Sequence, residues 1–221
     1  MKKAAIFSIL ILAMSLLLFR LAFAECTGPG KERWPIKTSV PEGANINRGK
    51  PIPLPALLAL EDPPGVTKND SRYDSRLIPP FPNQLQVKEG DIVSTTGWLH
   101  LVSTEENDCD YHIQISASPS DGNNCLIVEI PKEEENFIAA PALRKLAAQA
   151  RAFVRNRLLK GQEPSLHGSV MQHPPFVRVT GQLFYDAAHV GDPPRGTKKM
   201  KAATLWELHP VTGIVFAPPP K

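Results

Sequence analysis

Only three cysteines occur in 221 residues, and none forms a C-x-x-C pair or a Cys/His cluster with zinc spacing. A cysteine-held metal therefore has no support in the pattern. Charge of one sign is also missing. The formal net charge of +3 comes from Lys2, Lys3 and Arg20, which precede residue 25 where no acid occurs. The remainder carries 22 basic and 22 acidic residues, so whole-chain charge gives no argument for a nucleic-acid or membrane partner. There is no G-x-S-x-G and no H-E-x-x-H, which removes the usual signals for a serine hydrolase and a zinc protease. Gly28-Pro29-Gly30-Lys31 lacks the strand and helix that would make it a phosphate loop. After residue 24 no apolar run is long enough to span a bilayer.

What is present begins with an export signal. Lys2 and Lys3 precede an apolar run from Ala4 to Leu18, and Ala22-Phe23-Ala24 supplies a small-x-small cleavage site. Residues 1–24 are thus expected to be removed, leaving a secreted or periplasmic protein with no membrane span. In an oxidising compartment three cysteines predict one bond and one leftover thiol. Cys109 and Cys125 flank strand-like runs and are the expected pair, with a tether from Cys26 as the competitor. Proline is abundant, at 23 residues, and 11 of these fall between 27 and 83. Proline removes a backbone donor and restricts the residue before it, so neither a long helix nor a central strand fits there. Residues 25–83 read as an arm, a linker up to about 70 and partly packed beyond, with one short helical candidate at 55–60. Asn69-Asp70-Ser71 is a glycosylation sequon, informative only in a host that glycosylates.

Residues 84–217 read as one domain, with a loose tail at 218–221. Alternation marks strands at 92–103, 110–116 and 125–130. It puts Val93, Thr95, Gly97, Leu99 and Leu101 on one face, and Tyr111, Ile113 and Ile115 together. It turns Leu126, Val128 and Ile130 inward and Ile127 and Glu129 outward. The period then becomes helical: Leu143, Leu146, Ala147, Ala150, Val154 and Leu158 form one stripe over about 141–159, starting at Pro141. Strands follow at 176–186 and 204–216, where Pro210 requires a bend or an edge position.

Three strands, a helix and two strands is the order of a five-stranded OB-like barrel with the helix between strands three and four. The fold class is mainly β. A small antiparallel sheet with one helix packed on it is the alternative. The segments GDIVSTTGWLH, NDCDYHIQI, VEIP, VTGQLFYDAAH and WELHPVTGI resemble those of uncharacterised secreted bacterial proteins with an OB-like barrel domain. The resemblance covers about 130 residues at 88–217 and brings no established reaction with it.

Two readings of function remain open. In the first, the chain is an exported, non-enzymatic binding domain for an oligosaccharide, a nucleic acid or a protein. Trp98, His100, Gln114 and Arg178 would then meet the ligand, His112 lying on the same side. In the second, it is a metal-dependent hydrolase, such as a phosphodiesterase. Residues two apart on a strand point together, so Asp110 pairs with His112 and Glu207 with His209. These four are the catalytic candidates, and His112, His189, Glu207 and His209 are the candidate metal ligands. No cofactor is predicted by motif, although this set admits a divalent metal. The discriminating feature is whether these side chains converge.

Overall fold

The structure, a computed structural model, describes residues 30, 32–105, 107–196 and 200–220. The expected export signal lies outside the described residues. The elements are α1 (Trp34–Lys37), β1 (Lys50–Pro51), α2 (Leu54–Leu58), β2 (Ile92–Thr104), β3 (Tyr111–Ser116), β4 (Cys125–Ile130), α3 (Pro141–Phe153), β5 (Ser169–Val170), β6 (Phe176–Tyr185) and β7 (Ala202–Phe216). Strands β2, β3 and β4 form an antiparallel meander. β4 then pairs β7 in parallel, β7 pairs β6 antiparallel, and β6 returns to β2. The ring closes. Its fourth strand sits between the fifth and the first, and α3 falls between the third and fourth, as the order of elements predicts for an OB-like barrel.

The interior is apolar because alternate residues of each strand point into it. Val93, Leu99, Ile113, Ile115, Leu126, Val128, Val177, Val179, Leu183, Leu208 and Val211 are buried there. The α3 stripe closes one side with Leu143, Ala147, Ala150 and Val154. Leu101 departs from its expected face. The β2–β3 register shifts between Leu99 and Leu101, which moves Val102 into the core and sends Leu101 to a small cluster with Cys125 and Met200. Gly181 permits a close approach: a Cβ there would lie 3.0 Å from the Pro210 carbonyl oxygen. Pro210 lies beyond the β4 ladder, which ends at Val128↔Leu208, and beside the shifted β6 register, so its missing donor is tolerated.

The arm is not a linker. Ile36, Ile52, Leu54, Leu57, Leu60 and Ile78 are buried, and Trp34 meets Phe137 edge-on at 5.9 Å. Phe81 stacks on Trp206 at 6.3 Å. Proline prevented long elements without preventing burial, since each short piece carries its own apolar anchors. One ion pair fastens the arm. Arg33 donates to both Glu89 oxygens at 2.6 and 2.8 Å and to the carbonyls of Tyr73, Arg76 and Tyr185. Glu89 also accepts from the Ile78 and Tyr185 amides at 2.7 and 2.9 Å.

The expected Cys109–Cys125 bond does not form. Cys125 is a free, buried thiol that donates to the Gly122 carbonyl. The hairpin register explains why: Cys125 pairs Ser116 at one end of β3, whereas Cys109 precedes the other end. Cys26 lies outside the described residues, but a Cβ at Gly30 would lie 3.2 Å from the Cβ of Asp108, beside Cys109.

Three outcomes are expected. Non-reducing peptide mapping should link Cys26 to Cys109 and leave Cys125 unlinked. Burial pushes the Cys125 thiol up to about 12, so at pH 8 iodoacetamide should label it only after unfolding; fast native labelling would contradict this. Glu89→Ala strands a buried guanidinium, and a loss of about 3–5 kcal/mol is expected by urea unfolding. A loss below about 1 kcal/mol would show that the clamp is not stabilising.

Candidate metal centre

The outer faces of β3, β4 and β7 carry one row of side chains. The β3–β4 register sets His112 against Glu129. The parallel β4–β7 register sets Val128 against Leu208, which carries His209 alongside Glu129. Three polar residues therefore lie side by side on three adjacent strands, with Asp110 just before β3 and Glu207 two residues before His209. On an ordinary barrel this face would be wet. Here the arm covers it: Gln182 donates to the carbonyls of Ile36 and His209, and the Phe184 ring lies below Arg33, Lys37 and His209.

The side chains converge. His209 Nε2 lies 3.0 Å from Asp110 Oδ2, and its Nδ1 lies 2.9 Å from Glu129 Oε2 and 3.9 Å from Glu207 Oε2. His112 Nδ1 lies 2.8 Å from the other Glu129 oxygen and 3.5 Å from Glu105 Oε1. Asp110 and His209 are wholly buried. Both nitrogens of His209, both oxygens of Asp110 and Glu207 Oε2 nevertheless lack a partner with hydrogen-bond geometry. Buried polar atoms are ordinarily paired. The ring stands between two carboxylates, Asp110 at its Nε2 and Glu129 at its Nδ1.

Charge around this row is unbalanced. Arg195 bridges Asp186 at 2.6 Å and Glu207. Lys37 is the other nearby permanent cation among the described residues. Burial disfavours its charge, but Glu129, Glu207, Asp186 and Asp110 outweigh that and raise its pKa above the ordinary lysine value. Burial likewise opposes protonated His209, and Asp110, Glu129 and Glu207 raise it well above the usual imidazole range. Glu129 is held well below the usual carboxylate range despite burial, by His112 and His209. Asp108 moves the other way, pushed up to about 7 by burial and then by Asp110 and Glu129. Asp186 and Glu105 are also raised, burial being the first cause in each. Among the described residues, the surroundings hold more carboxylate than fixed cation.

Of the candidates read from sequence, Asp110, His112, Glu207 and His209 meet. His189 does not, being paired with Asp192 at 3.1 Å and 37% exposed. It lines a separate groove with Leu58, Leu60, Asp192, Arg195 and Leu205. Trp98 packs on Phe176. His100 is buried against Ser116 and Ser118, Gln114 is buried and donates to the Met200 carbonyl, and Arg178 is exposed. Glu129, Glu105, Lys37 and Arg195 were not among the site candidates. The hairpin register was the signal for Glu129. Lys37 had none, because nothing local places the arm.

Comparison with protein-family models, with curated proteins and with solved structures finds no match. Two groups within the row have the composition and spacing to hold a metal ion: Asp110, Glu129 and His209, and Glu105, His112 and Glu129.

Arg195→Met would leave Asp186 and Glu207 facing each other without the guanidinium that bridges them. A loss of about 3 kcal/mol in urea unfolding is expected. An unchanged midpoint would mean that Arg195 is not the counter-ion of this pair.

Proposed function

We propose that the chain is an exported binding domain whose ligand is a divalent first-row transition ion, held by Asp110, Glu129 and His209. One observation carries the reading: the buried His209 and Asp110 atoms lie near 3 Å from carboxylate or imidazole partners without hydrogen-bond geometry. One imidazole with two carboxylates is a mixed N/O donor set, suited to Zn2+ or Mn2+ rather than to the soft ions that cysteine selects. Lys2 and Lys3, the apolar run at residues 4–18 and the small-x-small site at 22–24 support export.

A polymeric ligand draws less support. The face that would meet an oligosaccharide or nucleic acid carries His100 and Gln114, both buried. The hydrolase reading needs substrate at the centre, and Asp110 and His209 are covered. Ion binding needs no such access for a macromolecule.

The test is thermal unfolding of chelator-stripped protein with Zn2+ or Mn2+ added. An ion that binds only the folded state adds about 2.7 kcal/mol at a hundred times its Kd, so the midpoint should rise. Asp110→Asn and His209→Ala, checked for native circular dichroism, should lose that rise. A midpoint indifferent to both ions in the native chain would overturn the reading.

A further inference from the structure

The two possible ligand groups are not separate: they share Glu129. We propose that its carboxylate bridges two cation positions, a closed one at Asp110–Glu129–His209 and a second, solvent-facing one at Glu105–His112–Glu129. This deepens the reading given above and rests on it.

The geometry assigns one oxygen of Glu129 to each side. Oε1 lies 2.8 Å from His112 Nδ1 and Oε2 lies 2.9 Å from His209 Nδ1. Each side then adds its own carboxylate. Asp110 lies 3.0 Å from Nε2 of His209, the nitrogen opposite the one facing Glu129, and Glu105 lies 3.5 Å from Nδ1 of His112, the nitrogen that faces Glu129. Carboxylate, imidazole and a shared carboxylate thus recur on both sides of one residue. Here two imidazoles flank a single carboxylate, each with a further acid.

Exposure distinguishes the two positions. Asp110 and His209 side chains are 0% exposed, whereas those of His112 and Glu105 are 11% and 48% exposed. The inner ion would be enclosed by protein, and the outer one would keep coordination positions for water or an exchangeable ligand, as open sites do.

The purified chain, stripped with chelator and equilibrated with Mn2+, is measured by equilibrium dialysis and electron paramagnetic resonance. Two Mn2+ per chain are expected, with a broad spectrum from magnetically coupled ions. Glu105→Gln, on the exposed rim where the fold does not depend on it, and His112→Gln should each bind one ion. Their spectra should show the resolved hyperfine pattern of isolated Mn2+. Glu129→Gln should weaken both positions at least tenfold while keeping a cooperative unfolding transition. One ion in the native chain, unaffected by Glu105→Gln and His112→Gln, would overturn the bridge and leave the single centre standing. Two ions that persist in both variants would place the second elsewhere and also overturn it. No bound ion would overturn the bridge and the cation reading together.

Discussion

Four stretches of chain meet at the carboxylate of Glu89. It takes both arms of the Arg33 guanidinium, the amide of Ile78 and the amide of Tyr185, so the two ends of the arm, the segment before β2 and the end of β6 are tied at one buried point. Such a bidentate pair is specific in geometry as well as charge. Its energetic value is not that of an ion pair added to a finished fold. Each partner is buried, and each would be costly to leave alone. The clamp positions Ile36 and Lys37, and these cover the polar row on β3, β4 and β7. Without it, the outer face of the barrel would be an ordinary wet surface.

That cover explains why β4 is buried on both sides. Leu126, Val128 and Ile130 fill the barrel, while Ile127 and Glu129 lie beneath other parts of the chain. An antiparallel strand with one solvated face would alternate in burial as it alternates in direction. The β4 strand alternates in direction only. Glu129 is consequently a buried charge, and its neighbours are arranged around that fact: two imidazoles beside it and Lys37 nearby.

Local pattern was enough for the strands, the helix and the barrel order, because each depends on periodicity within one segment. It was also enough for the pairing of Asp110 with His112 and of Glu207 with His209, which follows from two-residue spacing. The limits were long-range. Glu129 was read as facing outward, correctly, but its direction does not reveal that the arm lies over that face. Leu101 was misplaced by a bulge, which alternation cannot register. The cysteine pair failed on register, since proximity in sequence put Cys125 near the wrong end of β3. The arm was misjudged because proline argues against regular elements and says nothing about burial. Leu54 and Leu57 beside Pro53 and Pro55 were anchors in a segment that lacked periodicity.

The polar row also constrains how the fold can form. His112 and Glu129 belong to one hairpin, but His209 joins them only when β7 pairs β4 in parallel, and Lys37 only when the arm docks. Contacts this distant in sequence form after the loops between them have closed. Until then each carboxylate keeps its water. The row therefore assembles late, and its excess negative charge arises only at that stage. A cation that binds the assembled row favours the native chain over every earlier state, because no earlier state presents the same donors together. An ion held by the candidate ligands would therefore be coupled in free energy to docking of the arm, although Arg33–Glu89 and those residues share no atom.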